Sequence, residues 1–288
     1  MITAEIMASA PLLLLLLVAC MGWATTEGAK GFHENYAESW GGDRIKVLNG
    51  ESEVLLSMDQ TTGSGFGSKL KYGSGYFHMR IKLPAKNSSG VVTAFYLASG
   101  SDKHAELDFE FLGNLEGQPI ILQTNVFANG KGNREQRVKL RFNPTADFHD
   151  YKILWNSHQI VFYVDETPIR VFANKQTKGV DYPSQPMQII ASVWNGDSWA
   201  TDGGKAKVDW SSAPFNAYFQ GFDVDGCVST SSNDPRCSSS SLWWNSATYQ
   251  QLSSSERSAY QKVKKEYVIY DYCNDVKRFP SPPPECPQ

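Results

Sequence analysis

Residues 104–111 read His104, Ala105, Glu106, Leu107, Asp108, Phe109, Glu110 and Phe111, so three carboxylates alternate with apolar side chains. Only an extended strand makes that alternation coherent, because successive side chains then point to opposite faces. Glu106, Asp108 and Glu110 share one face, while Ala105, Leu107, Phe109 and Phe111 share the other. One face packs and the other is left for chemistry.

Three crowded anions among apolar neighbours raise one another's proton affinity, which makes a general acid. Cleavage of a glycoside uses such a group to assist the departing oxygen, with a second, ionised carboxylate to attack the anomeric carbon or activate water. Glu106 and Glu110 can divide those roles. On a flat strand four residues rise about 13 Å at about 3.3 Å each, whereas retaining glycosidases hold the two carboxyls about 5–5.5 Å apart. The strand therefore belongs on the concave face of a curved sheet. There the two glutamates lean together, and the shorter Asp108 lies beneath, hydrogen-bonding one of them and biasing its protonation. The competing reading is an edge strand blunted by charge. Bulky Leu107, Phe109 and Phe111 at every alternate position weigh against it.

The elements around this strand are all-β. From about residue 33 to 225, short apolar or alternating runs are separated by Gly, Pro, Asn and Asp, the pattern of an antiparallel sandwich. Residues 76–83, 91–97 and 160–164 are examples, the last ahead of a turn at Asp165 and Glu166, and adjacent runs are expected to pair. The last sixty residues change character. Ser253 and Glu256 have capping-box spacing, and the stretch to Tyr267 reads as one amphipathic helix. This divides the chain into a β domain over 29–225 and an extension over 226–288.

The 288 residues suffice for one large core. The 8 Trp, 13 Tyr and 15 Phe serve both a core and platforms for sugar rings. A net charge of −3 without a Lys/Arg cluster argues against a nucleic-acid partner and suits a neutral polymer.

The apolar run from Pro11 to Val18, followed by small residues up to Ala24, reads as a signal peptide over 1–28 with cleavage between Ala24 and Ala29. Glu5 and the absence of a leading Lys or Arg are atypical of such a segment, and Met7 is an alternative start. The run is too short to span a bilayer, so a secreted chain without a membrane anchor is expected. Cleavage removes Cys20 and leaves Cys227, Cys237, Cys273 and Cys286. Three connectivities are possible, of which Cys227–Cys237 and Cys273–Cys286 close the shortest loops and are favoured. Wide spacing and no neighbouring His argue against a metal site, and neither metal nor cofactor is expected. Asn87, in Asn-Ser-Ser, is a glycosylation acceptor expected on an exposed connection.

With these residues in view, the chain resembles the plant xyloglucan endotransglucosylase/hydrolases of glycoside hydrolase family 16 over nearly all of its mature length. The resemblance rests on Gly63–Lys69, Val92–Leu97, Glu106–Asn114, Gly132–Gln136, Asp147–His149, Trp194–Thr201 and Asp275–Pro280, in the family's order. It implies a curved β-jelly roll with a long concave cleft, plus a small disulfide-bonded C-terminal extension with a helix that lengthens one end. It makes Glu106 the nucleophile, Glu110 the acid/base and Asp108 the assisting residue between them. It carries substrate binding onto Gln123, Thr124, Asn125, Asn133, Arg134, Glu135, Trp199, Ala200, Gly204 and Arg278.

The implied reaction cuts a β-1,4-glucan backbone with retention and passes the donor fragment to a xyloglucan acceptor. Xyloglucan is the implied donor, with cellulose or mixed-linkage glucan as alternatives, and a monomer in the plant cell wall is the implied setting. Hydrolytic members tend to have a longer loop where Thr201–Lys205 is short, so transfer is expected over hydrolysis; a non-catalytic glucan-binding jelly roll is the remaining alternative. Three positions depart from the family pattern: Ala105, Asn114-Leu115-Glu116 without a glycosylation acceptor, and Asp202. Alternation sets Ala105 opposite the glutamates, so it spares catalysis, whereas Asp202 bears on specificity.

Overall fold

The computed structural model describes residues 30–286, and the expected signal segment lies outside them. Among the described residues the strands are, in chain order, β1 (Tyr36–Trp40), β2 (Ile45–Leu48), β3 (Glu53–Met58), β4 (Ser64–Lys82), β5 (Val91–Ala98), β6 (Glu106–Leu112), β7 (Ile121–Phe127) and β8 (Gln136–Lys139). There follow β9 (His149–Trp155), β10 (Gln159–Val164), β11 (Thr167–Ala173), β12 (Met187–Asn195), β13 (Phe215–Gln220), β14 (Asp225–Val228) and β15 (Val268–Asp271). A short helix α1 (Phe32–Asn35) precedes them, and α2 (Ser254–Glu266) lies in the C-terminal part.

All the strand pairings are antiparallel, and they build two layers because β4, 19 residues long, belongs to both. Its first half pairs with β1 and β12, and its second half with β9 and β13. The front layer is β1-β4-β12-β5-β6-β7-β8-β15, and the back layer is β11-β10-β9-β4-β13-β3-β2. Gly75 marks the passage between layers. There β14 crosses so closely that a Cβ on Gly75 would stand 2.5 Å from Asp225 O.

Successive runs pair from β5 to β8 and from β9 to β11, as expected, but β4 and β5 do not. The distant β12 inserts between them and hydrogen-bonds both. A connection of that range leaves no local mark on the sequence.

β6 is clamped through its apolar face. Leu107 and Phe109 are fully buried and Phe111 nearly so. Phe109 meets Phe162 of β10 edge-on at 5.2 Å, and Phe111 meets Tyr151 of β9 at 4.6 Å. Burying each such ring contributes about 1.5–3 kcal/mol, so the strand bearing the carboxylates is anchored to the back layer. Ala105 is also fully buried, on this inward side.

The C-terminal extension is built onto the sandwich at both ends. β14 pairs with β4 beside the Cys227–Cys237 disulfide, and Trp244 Nε1 donates to Ser74 Oγ at 3.0 Å. The expected 225/226 boundary falls inside β14, because the pairing with β4 continues across it. Ser253 caps α2 through Glu256, and Val263 on that helix enters the main core. β15 then pairs with β8 and adds an eighth strand to the front layer, followed by the Cys273–Cys286 disulfide.

Asn87 lies on a connection that is less open than expected. The residue is half-buried, its Oδ1 accepts from Ser89 N and Oγ, and Ser89 is itself buried, donating to Lys207 O at 2.8 Å. The Asx turn that forms here uses the side chain the acceptor would present.

Candidate active site

Alternation along β6 turns Glu106, Asp108 and Glu110 away from the core, and antiparallel pairing then selects their neighbours, since residues directly opposite share a face. Glu110 lies between Ala94 of β5 and Gln123 of β7; Asp108 between Tyr96 and Asn125; Glu106 between Ala98 and Phe127. From Glu110 the row runs through Gln123 to Arg137 on β8 and Tyr270 on β15. In the other direction it runs through Ala94, Ser192 and Gly65 to Trp40 on β1. The carboxylates thus sit mid-sheet, with a path across the strands on either side.

Glu110 is held by a relay. Gln123 Nε2 donates to Glu110 Oε2 at 2.8 Å, and Arg137 Nε donates to Gln123 Oε1 at 2.8 Å. Burial pushes the Glu110 carboxyl above its ordinary range; the Gln123 hydrogen bond opposes this, the Glu106 and Glu135 anions add to it, and Arg137 again opposes. The net direction is up, toward a carboxyl that keeps its proton.

Asp108 is 4% exposed. Burial raises it well above the carboxylate range, the Glu110 and Glu106 charges raise it further, and the buried Arg170 guanidinium counteracts. A hydrogen bond to Glu106 also favours its protonated form, so Asp108 donates to the Glu106 carboxylate.

Beside Glu106, His104 Nδ1 lies 3.2 Å from Ser99 O, a pure acceptor, so Nδ1 carries the hydrogen. Nε2 then stands 3.3 Å from Glu106 Oε2. Tyr96 adjoins all three carboxylates, and burial first, then the Glu106 charge, pushes its hydroxyl up to about 12. It remains a neutral donor in this anionic setting.

Asn133 and Glu135, neighbours on one turn, meet the distant Arg278 at the edge of the front layer. Arg278 Nη1 donates to Glu135 Oε2 at 2.7 Å and Nη2 to Asn133 Oδ1 at 2.5 Å. Asn125 supports this turn from beneath, its Oδ1 accepting from Arg134 N at 3.0 Å. Trp199 is half-buried against Trp194, ring centroids 6.0 Å apart.

Four of the expected binding residues are placed otherwise. Thr124 is fully buried and faces the interior, where Arg170 Nη1 donates to both its carbonyl and Oγ1. Alternation forces this once Gln123 and Asn125 face out. The Arg134 side chain is also buried, bonded to Val126 O, Lys131 O and Glu285, so it fastens the extension to the domain. Ala200 packs with Val92 and Leu112. Gly204 lies in a turn with φ +84°, where a Cβ would stand 2.1 Å from Ser198 O, so it shapes the backbone. Asp202 is exposed in that same turn.

Sequence reasoning missed Tyr96, His104, Arg137 and Tyr270 as site residues. His104 had a usable signal, standing two residues before Glu106 in phase with the carboxylates, and Tyr96 had the alternation of its own strand. Arg137 and Tyr270 had none, because only the β7-β8-β15 register brings them there.

Comparison with known proteins identifies the family. The model of glycosyl hydrolases family 16 matches residues 32–212, and that of the xyloglucan endo-transglycosylase (XET) C-terminus matches 238–286. Xyloglucan endotransglucosylase/hydrolase protein 2 of Arabidopsis thaliana is 55% identical over 275 residues, covering 95% of this chain and 94% of its own. Putative xyloglucan endotransglucosylase/hydrolase protein 1 of the same plant is 56% identical over 256 residues, covering 89% and 86%. The crystal structure of a prokaryotic β-1,3-1,4-glucanase (lichenase) from a mouse hindgut metagenome superposes with a TM-score of 0.53 at 24% identity, covering 67% of this chain and 95% of that one. That superposition identifies the two-layered fold as a jelly roll.

Proposed function

The chain belongs to glycosyl hydrolases family 16, and from that premise we propose that it is a retaining endotransglucosylase that cuts xyloglucan and joins the fragment to a second xyloglucan chain. The observation that carries this reading is the line Glu106, Asp108 and Glu110 facing away from the core, with Glu110 held toward its protonated form. An acid and a nucleophile then stand on one strand.

In the first step the Glu106 carboxylate forms a bond to the anomeric carbon as the glycosidic bond breaks, and the Glu110 proton passes to the departing oxygen. The donor fragment is then an ester of Glu106, and Glu110 is ionised. In the second step Glu110 takes the proton of an incoming sugar hydroxyl, whose oxygen displaces Glu106 and restores both carboxyls. Two displacements at one carbon give retention.

Transfer prevails over hydrolysis when the acceptor is held at high effective concentration, an advantage water lacks. The face beyond Glu110 is equipped for this. Gln123, Arg137, Tyr270 and the Asn133–Glu135–Arg278 cluster offer donors and acceptors to sugar hydroxyls on the side lengthened by β15. Arg278→Ala is therefore expected to raise the KM for a xyloglucan oligosaccharide acceptor about tenfold, the loss of one or two charge-assisted hydrogen bonds. Donor cleavage measured by reducing ends changes little, and equal losses in both would contradict this role.

A protein with this substrate works outside the cell, in the wall, and we assign it there as a monomer. Xyloglucan is the donor; cellulose and mixed-linkage glucan are secondary donors. The test is a matrix of the three unlabelled polysaccharides against labelled xyloglucan, cello- and mixed-linkage oligosaccharides. Label is expected in polymer foremost with xyloglucan as both donor and acceptor. Reducing ends accumulating in step with chain cleavage, despite abundant acceptor, would make the protein a hydrolase instead.

A further inference from the structure

The row that carries Glu110 ends, on the side away from β15, at Trp40. Trp40 pairs with Gly65 across the β1-β4 ladder, Gly65 with Ser192, Ser192 with Ala94, and Ala94 with Glu110. All five therefore occupy one face of the front layer. Trp40 is 41% exposed, one of few large apolar side chains left in solvent among the described residues.

Its indole lies against the backbone at Gly63 and Gly65. A Cβ on Gly65 would stand 2.6 Å from Trp40 Nε1, and one on Gly63 would stand 3.0 Å from Trp40 Cη2. The absence of those two side chains lets the ring lie down on the sheet. One side of the indole is thereby covered by glycine backbone, while the residue keeps substantial exposure. Between it and Glu110 the row holds only Gly65, Ser192 and Ala94, none bulky enough to block a chain passing over them.

We propose that Trp40 is the outer donor-side platform of the cleft, binding the face of the glucosyl ring about four units from the scissile bond. Four strand spacings of about 4.8 Å separate β1 from β6, about 19 Å in all, which is the length of about four backbone sugars. A flat aromatic with one face free suits a pyranose ring, whose axial C–H groups present an apolar surface. This inference rests on the transferase reading above, in which the β15 side receives the acceptor and the β1 side therefore holds the donor. Trp40 acts on donor choice by length, favouring polymers over short fragments.

The test uses 4-nitrophenyl β-glycosides of xylose-substituted cello-oligosaccharides with two, three, four and five backbone glucosyl units. The nitrophenyl group takes the first acceptor-side position, so backbone length counts donor-side contacts directly. In the parent chain kcat/KM is expected to step up when the fourth unit is added. Trp40→Ala should lose that step, about tenfold and in KM, with two- and three-unit donors unchanged. Trp40→Phe, which keeps a ring over the glycines and guards against a folding loss, should retain most of it. Equal losses at every length, or no loss at any, would overturn the proposal while leaving the enzyme's function intact. A parent chain that releases no nitrophenol and transfers no xyloglucan would instead remove the functional reading, and this inference with it.

Discussion

Glu106→Ala is expected to lose xyloglucan transfer by about 10⁴-fold or more, and azide is expected to restore cleavage of an activated donor. The loss is large because neither other carboxyl of the line can take over: Glu110 is held toward its protonated form as the acid, and Asp108 is buried and holds its own proton. Azide entering the space left by the missing side chain attacks from the nucleophile's side and displaces nitrophenolate, giving a glycosyl azide of inverted configuration.

Glu110→Ala behaves differently. A nitrophenyl donor needs no acid to leave, so Glu106 still forms the intermediate, and azide arriving on the acceptor side gives the azide of retained configuration. Product stereochemistry, read by NMR, thus assigns the two roles independently of rate. Exchange of the two outcomes would reverse the assignment, and undiminished transfer in either variant would remove it.

Asp108→Asn is expected to stabilise the protein while slowing it. Burial, with the Glu110 and Glu106 charges, raises the Asp108 carboxyl well above its ordinary range in the fold. A group raised on folding contributes stability that is full below its unfolded pKa, about 3.9, and is lost as pH climbs through the folded value. Asparagine keeps a donor toward Glu106 but has no proton to hold against rising pH. The melting temperature of the variant should therefore exceed the parent's by an amount that grows from pH 4 to pH 8. The gain is about 0.5–2 kcal/mol at neutral pH, typical of relief at a strained functional position.

The kinetic cost has the same origin. When Glu106 becomes an ester its charge disappears, so Asp108 can release its proton to water and stand ionised as positive charge develops on the sugar in the second displacement. Asparagine cannot follow, and a loss of about 10²-fold in kcat is expected. A variant that melts lower than the parent at pH 8, or turns over at the parent rate, would show that Asp108 is held in the fold for another reason.

Much of this site is legible in the order of the residues alone. Alternation in residues 105–111 selects a strand, sorts its side chains by face and sets the candidate acid and nucleophile pair on one side, because side-chain direction in a strand has period two whatever the strand packs against. The same rule should have excluded Thr124 once Gln123 was assigned to the open face, and the structure places Thr124 inside against Arg170. The capping box at Ser253 and the two short-range disulfides were legible for a similar reason. Each is closed by residues near one another in the chain.

Register between distant strands follows another logic. Nothing within residues 36–40 indicates that Trp40 stands in line with Glu110, since three intervening strands, β4, β12 and β5, set that alignment. Nothing near Arg137 or Tyr270 signals their place beside Gln123, and Arg134 reads as a cleft residue until Glu285, 151 positions away, is seen to bind it. The sequence by itself determined the proposed catalytic line, its strand and its inward face, because those depend on local geometry and on which side chains leave water. Only the tertiary structure decided which groups surround that line. Strand order and register are set by burial summed over the whole sandwich, a quantity no short segment contains.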